Sequence, residues 1–199
     1  MIDINEAVER ASVRETDDLQ RVGALLLVRY CSFYQDPKFS PWFEQSRMAL
    51  ASVVEAARSI LSQGGGSIDL EEIKDSLSEV LEGSDPDGPP FETEIFDHLV
   101  FADEVLEFLQ TPNRPALLSR AFEHAEELAE AHEEMGRAEY PSSDWEPAEL
   151  AAMEADARTR DMQEDFGGAV ALTRSEEFAQ AYAEVIEKCY TAEDAGSGA

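Results

Sequence analysis

The sequence is short of cations, cysteines, histidines and long apolar runs, and each shortage closes off a class of function. Only 15 of its 199 residues are lysine or arginine, against 44 aspartates and glutamates. The formal net charge of −29 repels phosphate backbones and anionic lipid, and no basic stretch offsets it locally. Neither a nucleic acid nor a membrane surface is therefore an expected partner. The two cysteines, Cys31 and Cys189, lie near opposite ends of the chain without CxxC spacing. They read as reduced core thiols, with a disulfide open geometrically if their two helices pack together. No apolar run approaches the ~18 residues that a bilayer span requires. The longest, Val22 to Val28, contains Gly23 and stops at Arg29. The opening residues, Met1 to Glu6, have neither a basic n-region nor an apolar h-region, so the expected location is cytoplasmic.

What the chain has in abundance is carboxylate. Residues 1–100 carry a net charge of −12 and residues 101–199 a net charge of −17, so the excess is spread and not gathered in a tail. Arginine outnumbers lysine twelve to three. Such a surface fits a salt-adapted or high-GC organism, and it also fits a recognition surface for a basic protein. At 43% hydrophobic residues the chain is globular in composition, and one domain is expected for this length.

Spacing predicts helices almost throughout. Leu19, Val22, Leu26, Tyr30 and Phe33 recur every three or four residues behind a cap at Thr16-Asp17-Asp18. Ser40-Pro41 starts the next helix and Gly64-Gly65-Gly66 breaks it. Asp69 opens a shorter one, and 84–90 is a loop rich in proline and glycine. Thr93 is expected to cap a helix that runs to Gln110. Leu117 to Met135 mark another, ending near Gly136. Trp145 to Asp165 reads as a weakly apolar, solvent-facing helix, braced by the i,i+4 pairs Glu154–Arg158 and Asp156–Arg160. The last helix opens at Ser175. The expected fold is all-α, an irregular bundle of seven or eight helices, with one domain over 1–190 and a flexible tail over 191–199. Strand alternation, internal repeats and sustained heptads are absent from the sequence.

Three groups of residues could carry chemistry. The first is Arg29, set among Leu26, Leu27, Val28 and Tyr30, where a cation needs a carboxylate partner. Asp97 and Asp103, within a largely apolar helix, are the expected partners in a buried ion pair that orients helices. The second is the acidic run Glu123, Glu126, Glu127, Glu130, Glu133 and Glu134, a candidate surface for a basic protein partner. The third is His98, His124 and His132 with nearby carboxylates, which would serve a small metal-binding or hydrolytic bundle. There is no HExxH, no paired ExxH and no GxSxG, and Gly64-Gly65-Gly66-Ser67 lacks the GK[ST] of a phosphate loop. No catalytic, cofactor or metal residue is assigned from these patterns, and no cofactor is expected.

Arg29 with Tyr34, Ala49-Leu50 with Glu55-Ala56, Asp103, and Glu154 with Arg160-Asp161-Met162 together resemble the YjaG-type family of all-helical bacterial proteins. The resemblance covers most of the chain. It departs from the family pattern at Ser32 and Val54, where a proline and a tryptophan would stand. It implies an all-helical fold and no established activity. Asp97-His98-Leu99 with Glu107-Phe108-Leu109 is also similar to part of the signature of helical chaperones for redox enzymes. The reading as a whole is of a non-enzymatic cytoplasmic protein acting through protein–protein contacts, with its own copies among the partners considered; the alternatives are an acidic neutraliser or chaperone of a basic or unfolded protein, and a small metal-binding or hydrolytic helical-bundle enzyme.

Overall fold

Apolar stripes at helical spacing become helices wherever a cap or turn ends them. The computed structural model describes residues 2–35, 44–63, 68–84, 90–139, 145–163 and 169–196, and among these it holds eight α-helices and no strand. They are α1 (Ile4–Ala11), α2 (Thr16–Cys31), α3 (Glu44–Gln63), α4 (Leu70–Gly83), α5 (Pro90–Gln110), α6 (Pro115–Glu139), α7 (Leu150–Asp161) and α8 (Ala169–Gly196). A single 3-10 turn, Phe33–Gln35, follows α2.

Local chemistry explains several of the boundaries. Asp3 caps α1 by accepting from the Glu6 amide at 2.8 Å, and Asp69 caps α4 through the Glu72 amide at 3.1 Å. Thr16 is the first residue of α2 and not its cap. Glu15 holds the cap position without a side-chain bond, and Asp17 and Asp18 supply the acidic first turn. α5 is already helical at Pro90, ahead of Thr93, and α6 starts on Pro115, where the missing amide hydrogen costs nothing. α6 runs through Gly136 instead of stopping there. A Cβ on Gly136 would sit 3.1 Å from Pro147 and 3.2 Å from Val185, so this glycine serves a close approach and not a helix end.

Two further boundaries differ from the sequence reading. α7 begins at Leu150 and not Trp145, and α8 begins at Ala169, ahead of Ser175. The helical backbone of α8 also continues through 191–196, where a flexible tail was expected. The helix start at Ser40-Pro41, the triple glycine at 64–66, Trp42, Phe43, the Cys189 side chain and 197–199 lie outside the described residues.

α2 is the axis of the bundle. Every residue from Val22 to Tyr30 is buried, which requires neighbours on all sides, and α3, α5 and α8 provide them. Each such leucine or valine contributes roughly 1.5–3 kcal/mol by leaving water. Gly23 lets α5 come close, since a Cβ there would meet Leu109 Cδ2 at 2.8 Å. Tyr30, Phe101, Phe178 and Tyr182 pack with ring centroids 5.0–5.2 Å from Tyr30, joining α2, α5 and α8. Buried apolar side chains from Ile2 to Ile186 form one contiguous cluster. No described helix is long and apolar enough to cross a membrane.

Candidate functional site

Two arrangements stand out, one inside the bundle and one on its surface. Inside, Arg29 projects from the last turns of α2 into space closed by α7 and α8. Its Nη1 donates to Asp161 Oδ2 at 2.7 Å and lies 3.3 Å from Ser175 Oγ, while its Nε lies 3.0 Å from Glu154 Oε2. All three charged side chains are 0% exposed. Tyr30 donates its hydroxyl to the same Glu154 oxygen at 3.1 Å, and Arg174 Nη2 donates to Asp161 Oδ1 at 2.8 Å. Burial works against the Arg29 charge, but Glu154 and Asp161 outweigh it and hold the guanidinium above its ordinary pKa. The Glu154 carboxyl is pushed upward by burial and by Asp161, against the pull of Arg29. Burial and the neighbouring Glu154 likewise push the Tyr30 hydroxyl well above its usual range, so it stays a donor.

Asp97 and Asp103 are not the partners of Arg29. Asp97 is exposed on α5. Asp103 is half-buried, and Lys74 of α4 reaches it at 2.6 Å. The α5 residues that face α2 are apolar, so these carboxylates turn toward water and α4 instead. The partners come from α7, which is not the solvent-facing helix that its low apolar content suggested. Glu154 and Arg158 were expected to form an exposed pair, but both are buried: Glu154 points to Arg29 and Arg158 to Glu126 at 3.5 Å. Asp156 and Arg160 do pair on the outside, at 2.9 Å. Glu154, Arg158 and Asp161 fall at spacings of four and three, so they share one helix face with Leu150 and Ala157. A charged stripe at helical spacing was the signal for an inward polar face, and periodicity counted over apolar residues alone passes over it.

A second polar chain adjoins the first. Tyr182 Oη lies 2.8 Å from His98 Nε2 and 3.0 Å from His132 Nδ1, and that same His132 nitrogen lies 2.8 Å from the Leu128 carbonyl. A carbonyl can only accept, so His132 carries its proton on Nδ1. The Tyr182 oxygen shares that N–H, and its own hydroxyl donates to His98 Nε2. Burial lowers the His132 pKa to about 4, which keeps the ring neutral. Two of the three candidate histidines are thus brought together, but as members of a hydrogen-bonded relay in which the shared nitrogen is a donor. His132 Nδ1, as a donor, has no lone pair for a metal, while its Nε2 keeps one and meets no hydrogen-bond partner among the described residues. His124 stands apart, 3.0 Å from Glu104, which Arg120 also holds. Among the described residues no three His, Cys, Asp or Glu side chains are placed to hold a metal ion.

On the surface, the six glutamates of α6 divide. Glu133 is buried, accepts the Ala151 amide at 3.0 Å, and pairs with Arg137. Glu126 faces Arg158. Glu123, Glu127, Glu130 and Glu134 are exposed at spacings of four, three and four, a single stripe along the outer side of the helix. Ser119 donates to Glu123 at 2.9 Å, whereas Glu127, Glu130 and Glu134 meet no cation among the described residues. Trp145, placed at a helix entry by its sequence, is half-buried and donates to Glu184 at 3.0 Å. Comparison with protein-family models, curated proteins and solved structures gave no match.

Proposed function

We propose that this chain is a non-enzymatic cytoplasmic protein that works by contact with a basic protein partner, through the outer face of α6. The observation that carries the reading is the division of the α6 glutamates. Those the fold uses, Glu126 and Glu133, face α7, while Glu127, Glu130 and Glu134 stay in water without a cation among the described residues. Uncompensated like charges at helical spacing cost stability, and a cationic surface would relieve that cost on docking. The buried free thiol of Cys31 is at home in a reducing compartment. The resemblance to the YjaG-type family belongs to the same reading, for Arg29, Glu154 and Asp161, three of the residues that carry it, meet at one buried centre.

The test is affinity capture from the native organism at two ionic strengths, with two variants. One neutralises the stripe (Glu123→Gln, Glu127→Gln, Glu130→Gln, Glu134→Gln). The other removes as many exposed charges from α4 (Glu71→Gln, Asp75→Asn, Glu79→Gln, Glu82→Gln). A basic protein should be retained by the wild type and the α4 variant, lost by the stripe variant, and released as salt shortens the screening length. Equal capture by both variants, or capture indifferent to salt, rules the reading out. The unpartnered Nε2 of the buried His132 ring, packed beside His98, favours a second reading, a metal-binding or hydrolytic bundle. A stoichiometric transition metal in the purified protein would establish that one over contact.

A further inference from the structure

We infer that α7 is a polar latch: a helix that opens from the bundle as a unit, ahead of global unfolding, and so uncovers the Arg29 centre. The inference is independent of the acidic-face reading. It rests on what holds α7 in place. α5 docks through Leu99, Phe101, Ala102, Val105, Leu106 and Phe108, all fully buried and apolar. α7 buries Leu150 and Ala157, and otherwise Glu154, Arg158, Thr159 and Asp161. Apart from Leu150 and the methionines Met153 and Met162 against the core, its attachments are polar and reach three helices. Glu154 and Asp161 hold Arg29 of α2, Asp161 holds Arg174 of α8, and Arg158 faces Glu126 of α6. Glu133 of α6 accepts the Ala151 amide, and Thr159 Oγ1 accepts the Ile2 amide at 3.1 Å.

The two kinds of docking differ in what separation costs. Undocking α5 returns large apolar area to water with nothing to offset it. Undocking α7 returns carboxylates and guanidinium groups to water, where each recovers the hydration that burial removed. That recovery largely cancels the lost Coulomb attraction. Opening α7 therefore lies below the global unfolding free energy, as expected for a segment with few buried apolar contacts. Opened, the bundle turns Arg29, the Tyr30 hydroxyl and Arg174 outward, a cationic centre in a chain of net charge −29.

Hydrogen exchange of the full chain at rising, sub-denaturing urea tests this. Amides from Glu154 to Asp161 should exchange about tenfold or more faster than those of Leu25–Val28 and Val105–Phe108. Their opening free energy should also fall only weakly with urea, because a local opening exposes little surface. Glu154→Gln, which keeps the side-chain shape, should raise the α7 rate further and leave the shallow urea dependence unchanged. If α7 amides share the free energy and urea slope of α2 and α5 at every urea concentration, α7 leaves only when everything unfolds and the latch is overturned.

Discussion

Asp161 accepts a 2.7 Å hydrogen bond from Arg29 across 132 residues of chain, and neither side chain reaches solvent. Asp161 is the better placed of the two carboxylates around Arg29, since its second oxygen is held by Arg174. Glu154 shares one oxygen between Arg29 and Tyr30, and its other oxygen has no hydrogen-bond partner among the described residues. Removing a single member strands a buried charge, which is far costlier than never having placed one there.

Asp161→Asn is thus expected to lower the unfolding free energy by about 3 kcal/mol or more, read from urea denaturation. Glu154→Gln should cost less, because burial and Asp161 already hold the Glu154 carboxyl above its ordinary pKa. The reverse order would mean that Glu154, and not Asp161, anchors the guanidinium.

How much of this was legible beforehand differs from part to part. Helix class follows from stripes such as Leu19–Val22–Leu26–Tyr30, because three- and four-residue spacing admits only one backbone that gathers those side chains. Arg29 inside that stripe announced a buried cation, and a buried cation implies a carboxylate. Which carboxylate was a question of tertiary neighbours, and spacing along one helix says nothing of what faces it from 132 residues away. Asp97 and Asp103 seemed apt because their helix is apolar, yet an amphipathic helix of that kind sends its charges outward. α7 misled for the opposite reason. Its ordering force is ionic, so counting apolar residues understated its burial. The stripe on α6 was visible as a run of glutamates, but the inward turn of Glu126 and Glu133 depended on α7 lying alongside.

Burial of the His132 ring makes stability sensitive to acid. His132 has a folded pKa of about 4 against 6.5 when free, so the folded chain binds fewer protons than the unfolded chain between those values. Its contribution is complete above about pH 6.5 and is lost as pH falls toward 4, by about 3 kcal/mol in all. Glu154 acts with the opposite sign, for a raised folded pKa makes the folded state the better proton binder as pH falls. Comparison with His132→Gln isolates the histidine. The wild type should lose stability relative to that variant from pH 7 to pH 4. A gap that stays constant over this range would show that His132 does not titrate with folding. The other groups facing this ring are His98 from α5 and Tyr182 from α8, with Tyr30 of α2 behind Tyr182.

The α6 stripe is expected to destabilise the isolated protein in dilute buffer. Glu123, Glu127, Glu130 and Glu134 make three like-charge neighbour pairs on one exposed face. Neutralising Glu127, Glu130 and Glu134 to glutamine should raise stability by about 1 kcal/mol at low salt, at a few tenths per pair. The gain should shrink as added salt shortens the screening length from ~10 Å at 0.1 M to ~3 Å at 1 M. Thermal melts of both proteins across that range check the prediction. A gain that survives molar salt would have to come from helix propensity or packing instead of charge.

The close approach of α5 to α2 at Gly23 rests on a missing side chain. A Cβ at Gly23 would fall 2.8 Å from Leu109 Cδ2 and 3.1 Å from Phe108 Cδ1, and both of those side chains are fully buried. Alanine in place of glycine within a helix is ordinarily favourable by up to about 1 kcal/mol. Here the added methyl must displace the fully buried Leu109 side chain, and overpacking of that kind costs about 1–3 kcal/mol. Gly23→Ala should therefore be destabilising on balance. Gly83, at the end of α4, has nothing within 4 Å of the same imagined atom, so Gly83→Ala keeps the propensity gain without the clash. Urea denaturation of the two variants should move in opposite directions. If Gly23→Ala is as stable as Gly83→Ala, α2 and α5 can separate by several tenths of an ångström without penalty, and the tight seam between them does not hold the bundle.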